Sequence, residues 1–428
     1  MKQRLVKQCS SKALILLKRV GQLAQRQKTS AYIVGGVVRD LILKKPNLDL
    51  DIVVEGDALS LARGVQIRYK SCALTVYDQF KTATLVFPDG LRLDVATARK
   101  EKYLHPGALP VVSSGTIHDD LFRRDFTINA LAIRINPVGF GDLVDFFGGG
   151  KDLSSRKIRI LHERSFIDDP TRILRAVRFE QRLDFQIEER TLGLLKEGLF
   201  YQVEEGVKKE RYFHEFYKIF SEQKPWKSIQ RLGELKGFDF MSLGFVPSRS
   251  SLGIMRKIKD SQNWYEKQKG PRSEVRWAIV YLAALWQQLS LTEAQALTQR
   301  FNLNRQERKV IAQMTQAEQI EQRLFARRLS PSDVAAVLKP LAWETVFYLR
   351  SRASRKLRQR MDDYLLRSFC VQLSLTGHDL LRLGFPDGKR IGATLRILLD
   401  YKINRLVKTR KQELALARKI LAGRVPST

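Results

Sequence analysis

Disulfide chemistry is the first thing this sequence leaves little room for. Cys9, Cys72 and Cys370 are its three cysteines, odd in number and far apart among 428 residues. They make no Cys-x-x-Cys pair, so neither a disulfide framework nor a cysteine metal site is expected, and a reducing, cytoplasmic location fits. Histidine is nearly as scarce: His105, His118, His162, His214 and His378 show no metal-ligand clustering. Long apolar runs are also missing. Ala13 to Leu17 and Ala278 to Trp286 are far too short to span a bilayer, so no membrane role is expected. Near the N-terminus charge returns at Lys18-Arg19 with no small-residue cleavage site, which predicts an amphipathic helix near 11–28 rather than a secretion signal.

Acid is in short supply. Against 76 Lys+Arg stand 45 Asp+Glu, a net charge of +31. Basic excess on this scale points to a polyanionic partner. From Arg350 to Thr428 the ratio is 19 to 6. A membrane surface is the weaker reading, because no amphipathic Trp/Lys helix stands out, and nucleic acid leads. With 44% hydrophobic residues the chain has ample material for a packed core.

Two regions differ in period. Residues 31–150 carry short β-branched runs, at Tyr32-Ile33-Val34, Ile52-Val53-Val54, Leu74 to Tyr77, Thr84 to Phe87, Leu91 to Val95 and Leu131 to Ile135. Pro88-Asp89-Gly90 is a hairpin signal, and helices are expected after Gly36 and from about Asp57. This reads as one twisted sheet with helices on one face. After Gly148-Gly149-Gly150 the spacing turns helical, as at Ile173, Leu174, Val177 and Phe179, and strand signals nearly vanish apart from Ile158-Arg159-Ile160. Breaks at Lys224-Pro225, Pro247, Gly270-Pro271, Ser330-Pro331 and Pro386-Asp387-Gly388 punctuate the helices.

The chemistry-bearing residues fall into five groups. Gly35-Gly36-Val37-Val38-Arg39-Asp40 follows a strand; Gly35 and Gly36 let backbone amides approach a phosphate, and Arg39, a turn on, reaches the same group. Taken alone, the pair is also an ordinary strand-to-helix turn. Asp49-Leu50-Asp51 enters the next strand, and its two-residue period puts Asp49 and Asp51 on one face. Such close carboxylates repel unless a cation lies between them, and oxygen ligands beside a phosphate substrate point to Mg²⁺. Asp94 lies in an apolar strand with two readings, a third carboxylate of the metal site or a structural partner of an arginine such as Arg92 or Arg123. Arg123-Arg124 run into an apolar segment and call for an anion, for which a triphosphate would serve. In Asp168-Asp169-Pro170-Thr171-Arg172-Ile173-Leu174-Arg175-Ala176-Val177-Arg178-Phe179, Pro170 suits a helix start. Arg172, Arg175 and Arg178 form a slowly rotating stripe that should face something negative, unless it is a solvated basic face.

In this order, GGVVRD, DLD, RRDFTINA and DDPTRILRAVRF resemble the class II tRNA nucleotidyltransferases and bacterial poly(A) polymerases. Lys209-Glu210-Arg211 with Glu215-Phe216, and Gly377-His378-Asp379-Leu380 through Glu413-Leu414, resemble that family's later helical segments. The resemblance is good over about 31–220, loose in the tail, and only helical in character over 221–370. It implies an α+β fold, with a nucleotidyltransferase-type mixed-sheet head followed by all-α neck, body and tail. The expected parts are a helical extension (1–30), head (31–150), neck (151–220), body (221–370) and RNA-binding tail (371–428).

The resemblance also implies roles. Asp49 and Asp51 would hold two magnesium ions; Gly36, Arg39 and Arg124 would grip phosphates and ribose. Asp169 and Arg172 would read the incoming base, and Arg175 and Arg178 would continue the nucleotide contacts. Asp168 departs from the Glu usual there. The segment from Arg99 to His118 reads as a mobile loop over the site, and loops here influence which nucleotide the family adds. The expected reaction is template-independent addition of CCA, or part of it, to tRNA from CTP and ATP. CC-only, A-only and poly(A) addition are rivals within the same chemistry, and a non-catalytic RNA-binding protein is a distant one.

Overall fold

The computed structural model describes residues 2–45, 50–201, 209–242, 244–268, 274–326, 328–386 and 388–423. Asp49, the first of the expected metal-binding carboxylates, lies outside the described residues. The chain forms two compact units, one of residues 1–219 and 230–246, the other of 220–229 and 247–428.

The first unit opens with helices α1 (Lys2–Gln8) and α2 (Ser11–Arg26), the latter within the expected amphipathic span. Leu16, Leu17, Val20 and Ala24 form the buried stripe of α2. Gly21 lies on it because a side chain there would meet the Ile135 carbonyl oxygen at 1.8 Å. Strand β1 (Ser30–Val34) leads to α3 (Gly36–Ile42) and β2 (Leu50–Glu55) to α4 (Ala58–Arg68). Asp57 starts α4 by accepting from the amides of Leu59 at 2.9 Å and Ser60 at 3.1 Å. Strands β3 (Ala73–Tyr77), β4 (Thr82–Val86) and β5 (Arg92–Thr97) follow, β4 and β5 joined at Pro88-Asp89-Gly90 with Gly90 at φ +83°.

Next come β6 (Arg99–Lys102), β7 (Val111–Ser114), α5 (Ile117–Phe122), β8 (Ala132–Arg134) and β9 (Leu143–Val144). The main sheet has the order β3-β4-β5-β2-β1-β8-β9. Within it β2 and β5 run parallel, and the other neighbours are antiparallel.

Side-chain alternation divides this sheet. Tyr32, Val34, Val53, Ala98 and Ala132 cluster with Ile117 and Leu121 of α5, while Ile52, Val54, Leu93 and Val95 point to the face on which α2 and α4 pack. Helices thus cover both faces, not one as the sequence suggested, although α5 shields only part of its side. The segment Arg99 to His118 also differs from the expected loop. Strands β6 and β7 pair as an antiparallel ribbon, with Arg99 opposite Ser114 and Lys102 opposite Val111, and α5 begins before it ends.

Beyond Gly148 the unit continues with α6 (Gly149–Ser154), β10 (Lys157–Ile158), α7 (Ser165–Asp168), α8 (Thr171–Leu183), β11 (Gln186–Ile187), α9 (Glu189–Tyr201) and α10 (Lys209–Phe220). The two-residue strands β10 and β11 pair in parallel, so one strand interrupts a stretch read as helical.

Among its described residues the second unit is helical. The apolar helix Trp277–Trp286 packs against Arg249–Glu266 and Trp343–Arg352. Several of its helices start at capping boxes, including Ser330 with Asp333 ahead of Pro331, one of the breaks seen in sequence. The C-terminal helices close a small core of Leu375, Leu380, Phe385, Leu398, Tyr401 and Leu416. Buried Glu413 pairs with Lys402 and accepts from the amides of Ser374 and Leu375. No helix among the described residues is long and apolar enough to cross a membrane.

Candidate active site

Strand register brings two carboxylates together. Asp51 on β2 stands abreast of Asp94 on β5, and both point to the face carrying Tyr32 and Val53. The next step along the β1–β2 ladder sets Asp51 beside Val34, the residue before the Gly35-Gly36 turn. Asp51 is exposed and Asp94 partly so. Asp94 accepts from Thr84 Oγ1 at 2.5 Å and from Arg92 Nε at 2.9 Å. Arg123, the other partner considered for Asp94, bonds Asp120 and Glu101 instead. Among the described residues no group of three or more acidic, histidine or cysteine side chains could hold a metal ion; Asp49 is not among them.

The glycine turn is shaped around an arginine. Gly35 has φ +74°, and a side chain there would come within 2.4 Å of Arg124 Nη1. Arg124 is held from below by Asp120 at 3.0 Å, and its buried Nε has no hydrogen-bond partner among the described residues. Burial opposes ionisation of Asp120, but Arg124 and Arg123 outweigh it and lower its pKa. Arg39 lies buried in α3. It bonds Asp40 at 2.8 Å and Asn129 Oδ1 at 2.7 Å, with its guanidinium 5.3 Å from the Phe179 ring centroid. Its donors therefore serve the protein's own side chains.

Helix α8 carries the arginine stripe, and the protein already supplies anions to it. Arg175 bonds Asp125 through Nε at 2.9 Å and Glu215 at 3.1 Å, and Arg178 lies 3.7 Å from Glu215. The stripe was expected to face something negative, and carboxylates distant in sequence supply part of that charge at Arg175 and Arg178. Burial pushes the Asp125 pKa up, yet Arg175 and Asn129 prevail and hold it at about 2. Burial likewise opposes the charge on Arg175, and Asp125 and Glu215 overcome it and raise its pKa.

Arg172 is buried. Its Nη1 donates to Ser165 Oγ at 2.6 Å and its Nη2 to the Arg123 carbonyl at 2.8 Å. Asp169 Oδ2 lies 4.0 Å from Arg172 Nε, so the two face each other without a tight bond. Asp168 sits apart from this pair, 3.4 Å from Arg164 and 3.9 Å from His162 Nδ1.

Part of this set lines an open cavity of about 490 Å³. Gly36, Arg39, Arg124, Asp169, Arg172, Arg175 and Arg178 line it, as do Arg123, Arg182, Glu101, Tyr103 and Asp125. Seven arginines against three carboxylates leave a surplus of four positive charges among the lining residues, which suits a polyanion. Gly35, Asp51 and Asp94 are not part of the lining.

Sequence reading missed Asp125, Glu215, Arg211 and Tyr103. Asp125 and Glu215 stood inside quoted motifs, but their partners on α8 lie 50 and 40 residues away. Tyr103 donates to Glu101 at 3.1 Å, and burial pushes its hydroxyl up to about 12.

Residues 31–159 match the model of the poly A polymerase head domain. Over 422 residues the chain is 32% identical to an A-adding tRNA nucleotidyltransferase of Halalkalibacterium halodurans, covering 96% of this chain and 94% of that protein. The chain belongs to the tRNA nucleotidyltransferase family. Its members named here are enzymes, and so is this chain. Over 409 residues it is 35% identical to an A-adding tRNA nucleotidyltransferase of Geobacter sulfurreducens, covering 94% of this chain and 46% of the relative. The chain therefore spans about half the length of that relative. A solved structure of a CCA-adding enzyme in an apo form is 35% identical, with a TM-score of 0.82 and coverage of 99% of this chain and 98% of that one.

Proposed function

We propose that this chain adds nucleotides of the CCA end to the 3′ end of tRNA, taking CTP and ATP and releasing pyrophosphate. One observation carries the reading: a cavity rich in arginine, walled by Asp169 and Arg172, is built on the glycine turn that follows the strand beside Asp51.

In this reading the phosphates settle against Arg124, Arg175, Arg178 and the backbone of Gly35 and Gly36, and Arg39 keeps the turn in shape through Asn129. Asp169 and Arg172 read the base. Cytosine and adenine both present an amino donor beside a ring-nitrogen acceptor, which an Asp acceptor and an Arg donor complement. Uracil and guanine present the reverse order and would leave buried polar groups unpaired. The paired carboxylate oxygens fit a hard divalent cation, so Asp49 and Asp51 would hold magnesium with Asp94 beside them. Bound there, magnesium supplies charge neutralisation at the triphosphate and a more acidic primer hydroxyl.

The functional parts are read as head (31–150), neck (151–220), body (221–370) and tail (371–428). The basic surplus after Arg350 would grip the tRNA backbone, with affinity falling steeply in salt. The cysteine pattern favours the cytoplasm as the place of work.

The test is a primer series: tRNA transcripts lacking the end, ending in CC, and ending in CCA, each with labelled CTP or ATP. Stepwise C, C and A on the shortest primer is expected. No incorporation on any primer overturns the reading. A second outcome, A on the CC primer without any C, would mark an A-only enzyme, a reading favoured by two relatives that match over most of this chain and are named A-adding.

A further inference from the structure

Asp169 is held in an asymmetric way. Its Oδ1 accepts from the Thr171 amide at 3.1 Å, from Thr171 Oγ1 at 2.6 Å and from Arg211 Nη2 at 2.9 Å. Three donors saturate one carboxylate oxygen. Oδ2 is left on the side of Arg172. Two of those donors belong to the chain immediately after Asp169. The third comes from α10, and Arg211 is itself fixed at a second point, its Nη1 donating to the Gly107 carbonyl at 3.1 Å in the turn between β6 and β7. Gly107 in turn donates to the Ile167 carbonyl at 3.3 Å, one residue before Asp168. A planar guanidinium bonded at both ends cannot swing with its target.

We propose that Arg211 is a positioning residue for nucleotide selection. By locking Oδ1 of Asp169 it leaves Oδ2 as the oxygen that meets the amino group of the incoming base. Arg211 is not itself a lining residue and reaches the cavity through Asp169, so its loss should act on the base and not on the triphosphate. The inference rests on the base-reading role proposed for Asp169 and Arg172.

The test measures equilibrium binding of ATP, CTP, GTP and UTP to the full chain as wild type, Arg211→Ala and Arg211→Lys. The wild type should favour ATP and CTP. Arg211→Ala should lose about tenfold of that preference, the scale of one charge-assisted hydrogen bond, while UTP affinity changes little. Arg211→Lys should recover part of the preference, since an ammonium reaches Oδ1 but cannot also hold Gly107.

A merely structural Arg211 would weaken all four nucleotides alike, and that result, or unchanged preference in Arg211→Ala, overturns the proposal. Should Arg211→Ala fail to fold, a folded Arg211→Lys decides: reduced preference supports the proposal and full preference refutes it. A wild type that binds all four alike overturns the base-reading pair and this inference together. A wild type that discriminates but never extends tRNA overturns the proposed function alone.

Discussion

Asp51 and Asp94 owe their positions to strand register, whereas Arg172, Arg175 and Arg178 owe theirs to bonds that reach across the unit. The carboxylates stand on neighbouring parallel strands, exposed or partly so, and the bonds to Asp94 come from β4 and from two residues away on its own strand. The arginines are more deeply buried and are tied to Ser165, Asp125, Glu215 and the Arg123 carbonyl. The difference matches two tasks. A cation site must stay open to solvent so that metal and primer can enter. A selective site must hold its donors still, because discrimination comes from the cost of leaving a buried group unpaired.

That contrast can be broken from either side, starting with stability. Glu215→Ala removes one buried carboxylate partner from both Arg175 and Arg178, and urea unfolding should show a loss of about 3 kcal/mol. Asp94→Asn, on the exposed side, should leave the unfolding midpoint nearly unchanged. Its effect belongs to chemistry: nucleotide transfer should fall by about a hundredfold, a share of the several kcal/mol that metal-held charge contributes. Equal transfer rates would reduce Asp94 to a partner of Arg92.

Arg172→Ala tests selection without chemistry. The preference for CTP over UTP should drop by about tenfold in competition assays, and intact preference would remove Arg172 from base reading.

The smallest effect is a pH slope. The Asp125 pKa lies at about 2 in the folded state, below its unfolded value of about 3.9. Its contribution to stability is therefore complete above about pH 4 and is lost as pH falls toward 2. Relative to Asp125→Asn, the wild type should shed up to about 1.4 kcal/mol per pH unit in that window, measured by urea midpoints from about pH 5 down to about pH 2.

What could be read from sequence follows the same divide between local and distant causes. β1 to β5 and β8 were legible because β-branched runs and the Pro88-Asp89-Gly90 turn are local signals. The start of α8 at Pro170 was legible for the same reason. The ribbon of β6 and β7 was not, because Arg99-Lys100-Glu101-Lys102 is wholly polar and Pro106-Gly107 dominates the segment. Two-residue β11 leaves no period to detect. At the site, the arginines announced themselves as a stripe, yet the anions that hold them did not. Asp125 meets Arg175 across 50 residues, and Arg211 meets Asp169 from another helix. No spacing rule encodes such pairs; they exist only once α8 and α10 have packed.

The separation of roles is tested most directly by measuring ATP binding and single-turnover tRNA extension on the same preparation of Asp51→Ala. The account predicts ATP affinity within about twofold of wild type and extension reduced by about a thousandfold or more, because the arginine cavity persists and the carboxylate edge does not. Extension at the wild-type rate would contradict it.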